Sequence, residues 1–262
     1  MSSTPSLHGL GILVTRPEQQ AAVLCRLLEA QGAIAHRFPG VTIVPHATGR
    51  AQLTRLASQP DFNFVIFISA NAVRFGAAFL SQRRDLAIAA VGPATARALN
   101  QAGYRVSVVS QGGFDSEHLL ANAQFSALQG KRILLVKGSG GRELLEQQLA
   151  QRGAQVEIAT VYERLPPTPA PDELCTLEAQ FDAGAIHLIT ATSVEIARNL
   201  FAIAPNRLRA HFQRSRWIAP SARVTAGLGE LGVRLPAIVA SSAEDQELLS
   251  AILRWRSTES GA

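Results

Sequence analysis

The sequence predicts an α/β protein of two similar domains, each a parallel sheet flanked by helices, with a cleft between them. The first observation behind this is a duplication. GILVTRPEQQAAVLCRLLEAQGA from Gly11, FISANAVRF from Phe67, VGPATARALNQAG from Val91 and DSEHLLANA from Asp115 form one copy. RILLVKGSGGRELLEQQLAQRGA from Arg132, LITATSVEI from Leu188, IAPSARVTAGLGELG from Ile218 and EDQELLSAI from Glu244 form the other. Gly32 to Gly153 and Ser69 to Thr190 share one offset, and Gly103 to Gly232 and Leu119 to Leu248 a slightly larger one, so a short insertion separates the pairs. A period this long marks duplicated half-proteins, because solenoid repeats run only ~20 to 50 residues. The second observation is that the apolar runs are continuous rather than alternating, as in strands covered on both faces. The third is that helical patterns separate those runs, which gives parallel sheets. Two such halves in one chain leave a cleft in which a large ligand is gripped from both sides.

Ile12 to Thr15 is the opening strand, stopped by Arg16-Pro17, and Pro17 suits the first turn of the following helix. That helix runs from Glu18 to Gln31, turns Ala22, Leu24, Leu27 and Leu28 toward a core and ends at Gly32. HRFPGVTIVP from His36 then breaks the alternation. Strands follow at Phe64 to Ile68, Ile88 to Val91 and Val106 to Val109. Copy two opens with a strand at Ile133 to Val136, a KGSGG turn and a helix from Arg142 to Arg152 stopped by Gly153. ATVYERLPPTPAP from Ala159, ending in Pro166, Pro167, Pro169 and Pro171, stands at the place of the first interruption. Prolines limit backbone freedom and resist a central strand, so both interruptions read as extended connectors and candidate hinges. Strands at Ala185 to Ile189, Arg216 to Ile218 and Ala237 to Val239 complete the second copy.

Apolar residues make up 47% of the 262 and charged ones 17%, a globular balance far from disorder. The formal charge of +5 and a pI near 10.0 favour an anionic partner. The arginines are scattered, and the two lysines, Lys131 and Lys137, flank one strand, so no basic run interleaved with aromatics marks a nucleic-acid surface. MSSTPSLHGLG leads straight into a strand without a basic segment and apolar core of a targeting signal. No apolar run approaches the ~18 to 20 residues of a membrane span, and a soluble cytoplasmic protein is expected. Cys25 and Cys175 lie far apart in helical patterns, as two buried free thiols. The six histidines have no paired spacing and no nearby cysteine, so no protein-bound metal is expected.

Ligands of open parallel sheets bind beyond the carboxyl ends of the strands. That rule selects Arg16, Ser69-Ala70-Asn71, Gly92 to Thr95 and Lys137 to Arg142, which includes Gly138. In the second copy it selects Thr190-Ala191-Thr192-Ser193 and Pro220-Ser221-Ala222-Arg223. Backbone N–H groups at helix starts lack intrahelical partners and hold carboxylates or phosphates without a lysine for each. Ser, Thr and Asn there also cap helices whatever the function, and both readings stand at this point. KGSGGRE has neither the ending of a P-loop nor the spacing of GxGxxG, so it reads as a tight turn that offers backbone donors. No Ser-His-Asp order, acidic dyad or Cys-His signature supports covalent hydrolysis. Tyr162, one of two tyrosines, lies in the second connector. Its phenol is either a proton donor to a leaving oxygen or a β-favouring ring that packs there.

VTRP at Val14 to Pro17, HRFPGVTIVP, FISANAV, VGPATARAL, KGSGGRELL followed by QRGAQV, VYER at Val161 and AEDQELLSAI stand in an order that resembles uroporphyrinogen-III synthase. The resemblance covers nearly the whole sequence, from about Leu10 to Leu253. It implies two α/β domains joined by a two-stranded linker ladder, with the opening strand and helix of each copy packed on the later part of the other. One domain would hold residues 1–36 and 166–262, the other residues 44–158, with 37–43 and 159–165 as linker strands. Two departures stand out. Ile189-Thr190-Ala191-Thr192 replaces the Thr-Ser-Pro-Ser run of many members, and IAPSARV replaces the IGPTTA-like turn still visible in copy one.

The reaction implied by the resemblance is cyclisation of linear hydroxymethylbilane to uroporphyrinogen III, with inversion of the last pyrrole ring and loss of water, as in haem and sirohaem biosynthesis. No cofactor is implied. The substrate's eight carboxylates suit the basic balance, and Tyr162 matches the family's tyrosine as proton donor to the departing hydroxyl. Arg16, Ser69, Asn71, Thr95, Gly138, Arg142, Thr190, Thr192 and Ser221 match positions that line the substrate cleft. A monomer without nucleic-acid or membrane partners is expected, with transient contact to the preceding pathway enzyme left open. A non-catalytic clamp that senses an acidic small molecule is the alternative, and a nucleic-acid-binding protein is suggested by pI alone.

Overall fold

The computed structural model describes residues 7–57, 59, 62–80, 86–110, 116–141 and 143–259. Contacts divide the chain into two compact units, Met1–Thr42 with Leu165–Ala262, and Ile43–Arg164. The chain therefore begins in the first unit, builds the second and returns.

The first unit opens with β1 (Gly11–Val14), α1 (Glu18–Ala30) and β2 (Ile34–Arg37). Pro17 precedes α1 with extended backbone, and Leu24 and Leu28 enter the core as expected. Ala22 and Leu27 are half-buried, and Ala21 and Cys25 take the remaining inward positions. At its end Gly32, at φ 84°, donates to Glu29 O (2.9 Å) and Ala33 to Leu28 O (3.1 Å). These two bonds satisfy carbonyls that the helix leaves open, in the geometry that a left-handed residue provides. The same pair recurs at Gly153 (φ 89°), which donates to Ala150 O while Ala154 donates to Leu149 O. The duplication thus extends to the hydrogen bonds of the helix ends.

The second unit runs through β3 (Thr42–Pro45), α2 (Gly49–Ala57), β4 (Phe64–Phe67), α3 (Ala70–Gly76), β5 (Ala87–Ala90), α4 (Pro93–Gln101), β6 (Val108–Val109), α5 (Ser116–Leu120), β7 (Arg132–Gly138), α6 (Leu144–Gln151) and β8 (Gln155–Leu165). Its six strands lie in the order β3-β8-β7-β4-β5-β6. Pro45 ends the edge strand β3, where a missing N–H costs the ladder nothing. Leu135, Ile133, Ile66 and Ala89 pack against Leu119 of α5 and Leu145 and Leu149 of α6. Val136, alternating with Leu135, faces α3 across Gly76.

The chain returns to the first unit with α7 (Pro171–Asp182), β9 (Leu188–Thr190), α8 (Val194–Ile203), α9 (Asn206–Arg214), β10 (Arg216–Ala219), α10 (Ala222–Glu230), β11 (Ile238–Val239) and α11 (Asp245–Glu259). The five strands lie in the order β11-β10-β9-β1-β2 and pair in parallel. One face packs Leu24, Leu28, Leu248 and Ile252 from α1 and α11. Trp217 is fully buried within 6.1 Å ring contacts of Phe201 and Phe212, and its Nε1 donates to Phe212 O.

Each sheet joins the opening strands of one copy to the later strands of the other. In the first unit β2-β1 lies beside β9-β10-β11, and in the second β8-β7 lies beside β4-β5-β6. Readings of the sequence change here at β2, at the first part of β8 and at Cys175. β2 and the first part of β8 are strands, although Ile34 is 54% exposed and Val156 and Ile158 only half-buried, so neither shows the continuous apolar run of a central strand. Residues 159–165, expected as a linker strand, are the second part of β8. Cys175 is exposed rather than buried, because α7 turns Leu177 and Phe181 inward instead.

Candidate functional site

In the second unit the expected positions gather at the carboxyl ends of β4, β5 and β7. Ser69 caps α3: its backbone is extended and its Oγ accepts from Ala72 N at 3.1 Å. The same Oγ lies 3.1 Å from Tyr162 Oη. Tyr162 reaches it through a bulge in β8. Thr160 pairs with Lys137 but Tyr162 with Gly138, so Val161 is an extra residue on its strand. Val156 and Ile158 pack toward α5 and α6, and without the bulge Tyr162 would share their face. Its ring instead stacks on Phe75 of α3, with centroids 6.1 Å apart.

Two further contacts hold that residue in place. Ser139 N donates to Tyr162 O at 2.8 Å. Gly138 lies directly beneath the phenol, where a Cβ would come 2.5 Å from Cζ, so only glycine permits this approach. Tyr162 as a whole is 7% exposed. Asn71 is buried in the first turn of α3, and Thr95, nearly enclosed, donates from Oγ1 to Val91 O at 3.0 Å in the first turn of α4. Arg142 lies outside the described residues.

In the first unit the register places the expected residues differently. Ile12 pairs with Leu188 as Ile133 pairs with Phe64. Leu188 thus corresponds to Phe64, Ser193 to Ser69, and Thr190 to the mid-strand Ile66. The equivalence of Ser69 with Thr190 is therefore corrected by three residues. Ser193 caps α8 by accepting from Ile196 N at 3.2 Å, as Ser69 caps α3. Thr190 has no exposed surface: its Oγ1 accepts from Thr15 N (3.1 Å) and donates to Leu13 O (3.3 Å). Thr192 and Ser221 are half-buried, and Ser221 caps α10 toward Val224 N.

Arg16, at the end of β1, is only 9% exposed. Its guanidinium lies 2.7 Å from Asp245 at the start of α11 and donates to Ala243 O. Burial lowers the Arg16 pKa and raises that of Asp245, and the charge of each partner opposes the other's shift. The equivalent residue at the end of β7 is Lys137, also 9% exposed, whose ammonium has neither a hydrogen bond nor an ion pair among the described residues. The carboxyl-end rule selects Lys137 within Lys137 to Arg142, but the resemblance does not carry it among the cleft positions. The offset that relates Gly32 to Gly153 also relates Arg16 to Lys137, and that was the signal. Among the described residues no group of three His, Cys, Asp or Glu side chains is placed to hold a metal ion, and no helix is long and apolar enough to cross a membrane.

A buried phenol on a capping serine, with a buried lysine near the end of the neighbouring strand β7, matches no hydrolytic or nucleotide-binding signature. The family model described as uroporphyrinogen-III synthase HemD matches residues 22–250. The chain belongs to the uroporphyrinogen-III synthase family. It is similar to the uroporphyrinogen-III synthase of Salmonella typhimurium, 30% identical over 258 residues that cover 93% of this chain and 100% of that protein. The Escherichia coli synthase is 28% identical over 93% of this chain and the whole of the relative. In fold the chain resembles the mutant uroporphyrinogen III synthase of Thermus thermophilus, with a TM-score of 0.59, 21% identity and coverage of 97% of this chain and 100% of that one. The Helicobacter pylori uroporphyrinogen-III synthetase gives a TM-score of 0.61 at 15% identity, covering 94% and 99%.

Proposed function

We propose that this protein cyclises hydroxymethylbilane to uroporphyrinogen III, inverting the last pyrrole ring and releasing water, as a hydro-lyase of tetrapyrrole biosynthesis. The observation that carries the reading is the phenol of Tyr162, held at the carboxyl ends of β4 and β7 in a chain that matches the family across residues 22–250. The lone pair of the terminal pyrrole nitrogen expels the hydroxyl. Tyr162 gives its proton to the departing oxygen, which leaves as water, and an azafulvene remains. The substituted carbon of the last ring attacks it to give a spiro intermediate, whose older bond to the preceding ring's methylene then breaks and re-forms at the unsubstituted neighbour, which inverts the ring. The proton released when the inverted ring regains aromaticity restores the phenol.

The chemistry needs little acid help, so positioning carries the selectivity. A flexible bilane must present its substituted carbon rather than the unsubstituted neighbour. In the second unit Lys137, Asn71 and the backbone N–H groups at the starts of α4 and α6 are suited to carboxylates, and in the first unit Thr192, Ser221 and the N–H groups at the starts of α8 and α10 are suited to them in the same way. Arg16 and Thr190 act indirectly. Arg16 ties the start of α11 to β1, and Thr190 fixes β9 against β1. Two free cysteines suit a reducing cytoplasm, and the protein is proposed to work there as a monomer.

The test is to supply freshly generated hydroxymethylbilane to protein treated with a chelator and to resolve the isomers chromatographically. Predominant type III product is expected. Product identical to the enzyme-free control, or activity that requires added metal, overturns the reading.

A further inference from the structure

We infer that Ser69 is a positioning residue that donates its hydroxyl proton to Tyr162 Oη and so leaves the phenol's own proton free to point at a substrate oxygen. The inference rests on the acid role of Tyr162 proposed above and assigns the hydrogen bond that role requires.

The argument is a count of protons and lone pairs. A serine hydroxyl has one proton and two lone pairs. Ala72 N donates to Ser69 Oγ at 3.1 Å, which takes one lone pair. Tyr162 Oη at 3.1 Å takes either the other lone pair or the proton. If the phenol donated to Ser69, the serine proton would have no acceptor among the described residues and Tyr162 would have no proton for a leaving group. If Ser69 donates, the cap is kept, the serine proton is used and the phenol proton is free.

The setting of the ring turns this count into a direction. Phe75, Gly138 and the backbone bond from Ser139 hold the ring, so the C–O rotor is the main freedom left to the phenol. Conjugation keeps a phenolic O–H near the ring plane, in one of two opposite orientations. A hydrogen donated by Ser69 occupies one side of Oη and drives the phenol's proton to the other. Preorganisation of this kind acts on turnover and not on the capture of carboxylates.

The experiment combines kinetics with a spectroscopic readout on the full chain. Single-turnover rates on hydroxymethylbilane are measured for wild type, Ser69→Ala, Ser69→Gly, Ser69→Thr, Tyr162→Phe and the double variant Ser69→Ala/Tyr162→Phe. Tyr162→Phe is expected to be slower by ~10²-fold and Ser69→Ala by about tenfold, with type III product retained. Ser69→Gly, which an N-cap tolerates, separates loss of the hydroxyl from loss of the cap and is expected to match Ser69→Ala. Ser69→Thr restores the rate, and Ser69→Ala adds no loss in the Tyr162→Phe background. Tyrosine labelled with carbon-13 at Cζ gives two resonances, one for each of the two tyrosines. That of Tyr162 should move in Ser69→Ala and Ser69→Gly and return in Ser69→Thr. That of Tyr104, which donates to Ala77 O at 2.6 Å, should stay. A slow Tyr162→Phe with Ser69→Ala and Ser69→Gly at wild-type rate, additive losses in the double variant, or an unmoved Tyr162 resonance overturns the positioning role alone. A wild-type rate for Tyr162→Phe overturns the acid role and the positioning role with it.

Discussion

Arg16 and Lys137 end equivalent strands, yet among the described residues only Arg16 has an anionic partner in its own unit. A guanidinium so enclosed is expensive to leave alone, and so is the carboxylate facing it. Arg16→Met should therefore lower the free energy of unfolding by about 3 kcal/mol, and Arg16→Met/Asp245→Leu should recover most of that loss. Urea titration of the three proteins checks this. Unchanged stability in Arg16→Met would mean that the arginine is spent on substrate and not on the fold. Thr190 carries the same lesson without charge. Its hydroxyl type suggested a ligand contact, but complete burial and bonds to Thr15 and Leu13 make it part of the strand junction.

At the scale of elements, the two copies agree most closely where helices end. Gly32 and Gly153 hold the left-handed conformation that lets the following N–H groups close the last turn. Alanine in that region costs about 1–2 kcal/mol. Gly32→Ala and Gly153→Ala should each lower the urea midpoint accordingly, with Gly153→Ala at the upper end. A Cβ at Gly153 would come 3.0 Å from the backbone Cα of Gln129, whereas at Gly32 it meets the movable ring of His8. Equal or unchanged midpoints would count against this account. The bulge in β8 is the counterpart on the strand side. One extra residue moves Tyr162 from the α6 face to the α3 face, within reach of Ser69.

For the whole molecule, the repeat and the fold divide the chain at different places. Ile43–Arg164 is continuous and holds six strands and its own core, including β7 between β8 and β4. A fragment of residues 43–164 should fold by itself, with cooperative unfolding and dispersed amide resonances. The first sequence repeat, residues 11–131, lacks β7 and β8 and should not, because β4 would lose its partner on one side. An unfolded 43–164 fragment, or a cooperatively folded 11–131, would refute this division.

The sequence by itself determined the α/β class, the duplication, the helix ends at Gly32 and Gly153 and the carboxyl-end turns, because periodicity, glycine and proline act locally along the chain. Ordered motifs also pointed to the family. Only the tertiary structure decided that Ser193 rather than Thr190 stands where Ser69 does, since pairing of β9 with β1 sets that register and side-chain type does not. It also decided that Arg16 is neutralised from a residue more than two hundred positions away while Lys137 is not. The same holds for Tyr162 and Ser69, which lie far apart in sequence. A glycine and one extra strand residue bring the phenol to the capping serine, because backbone pairing fixes which face a side chain takes and what it meets there.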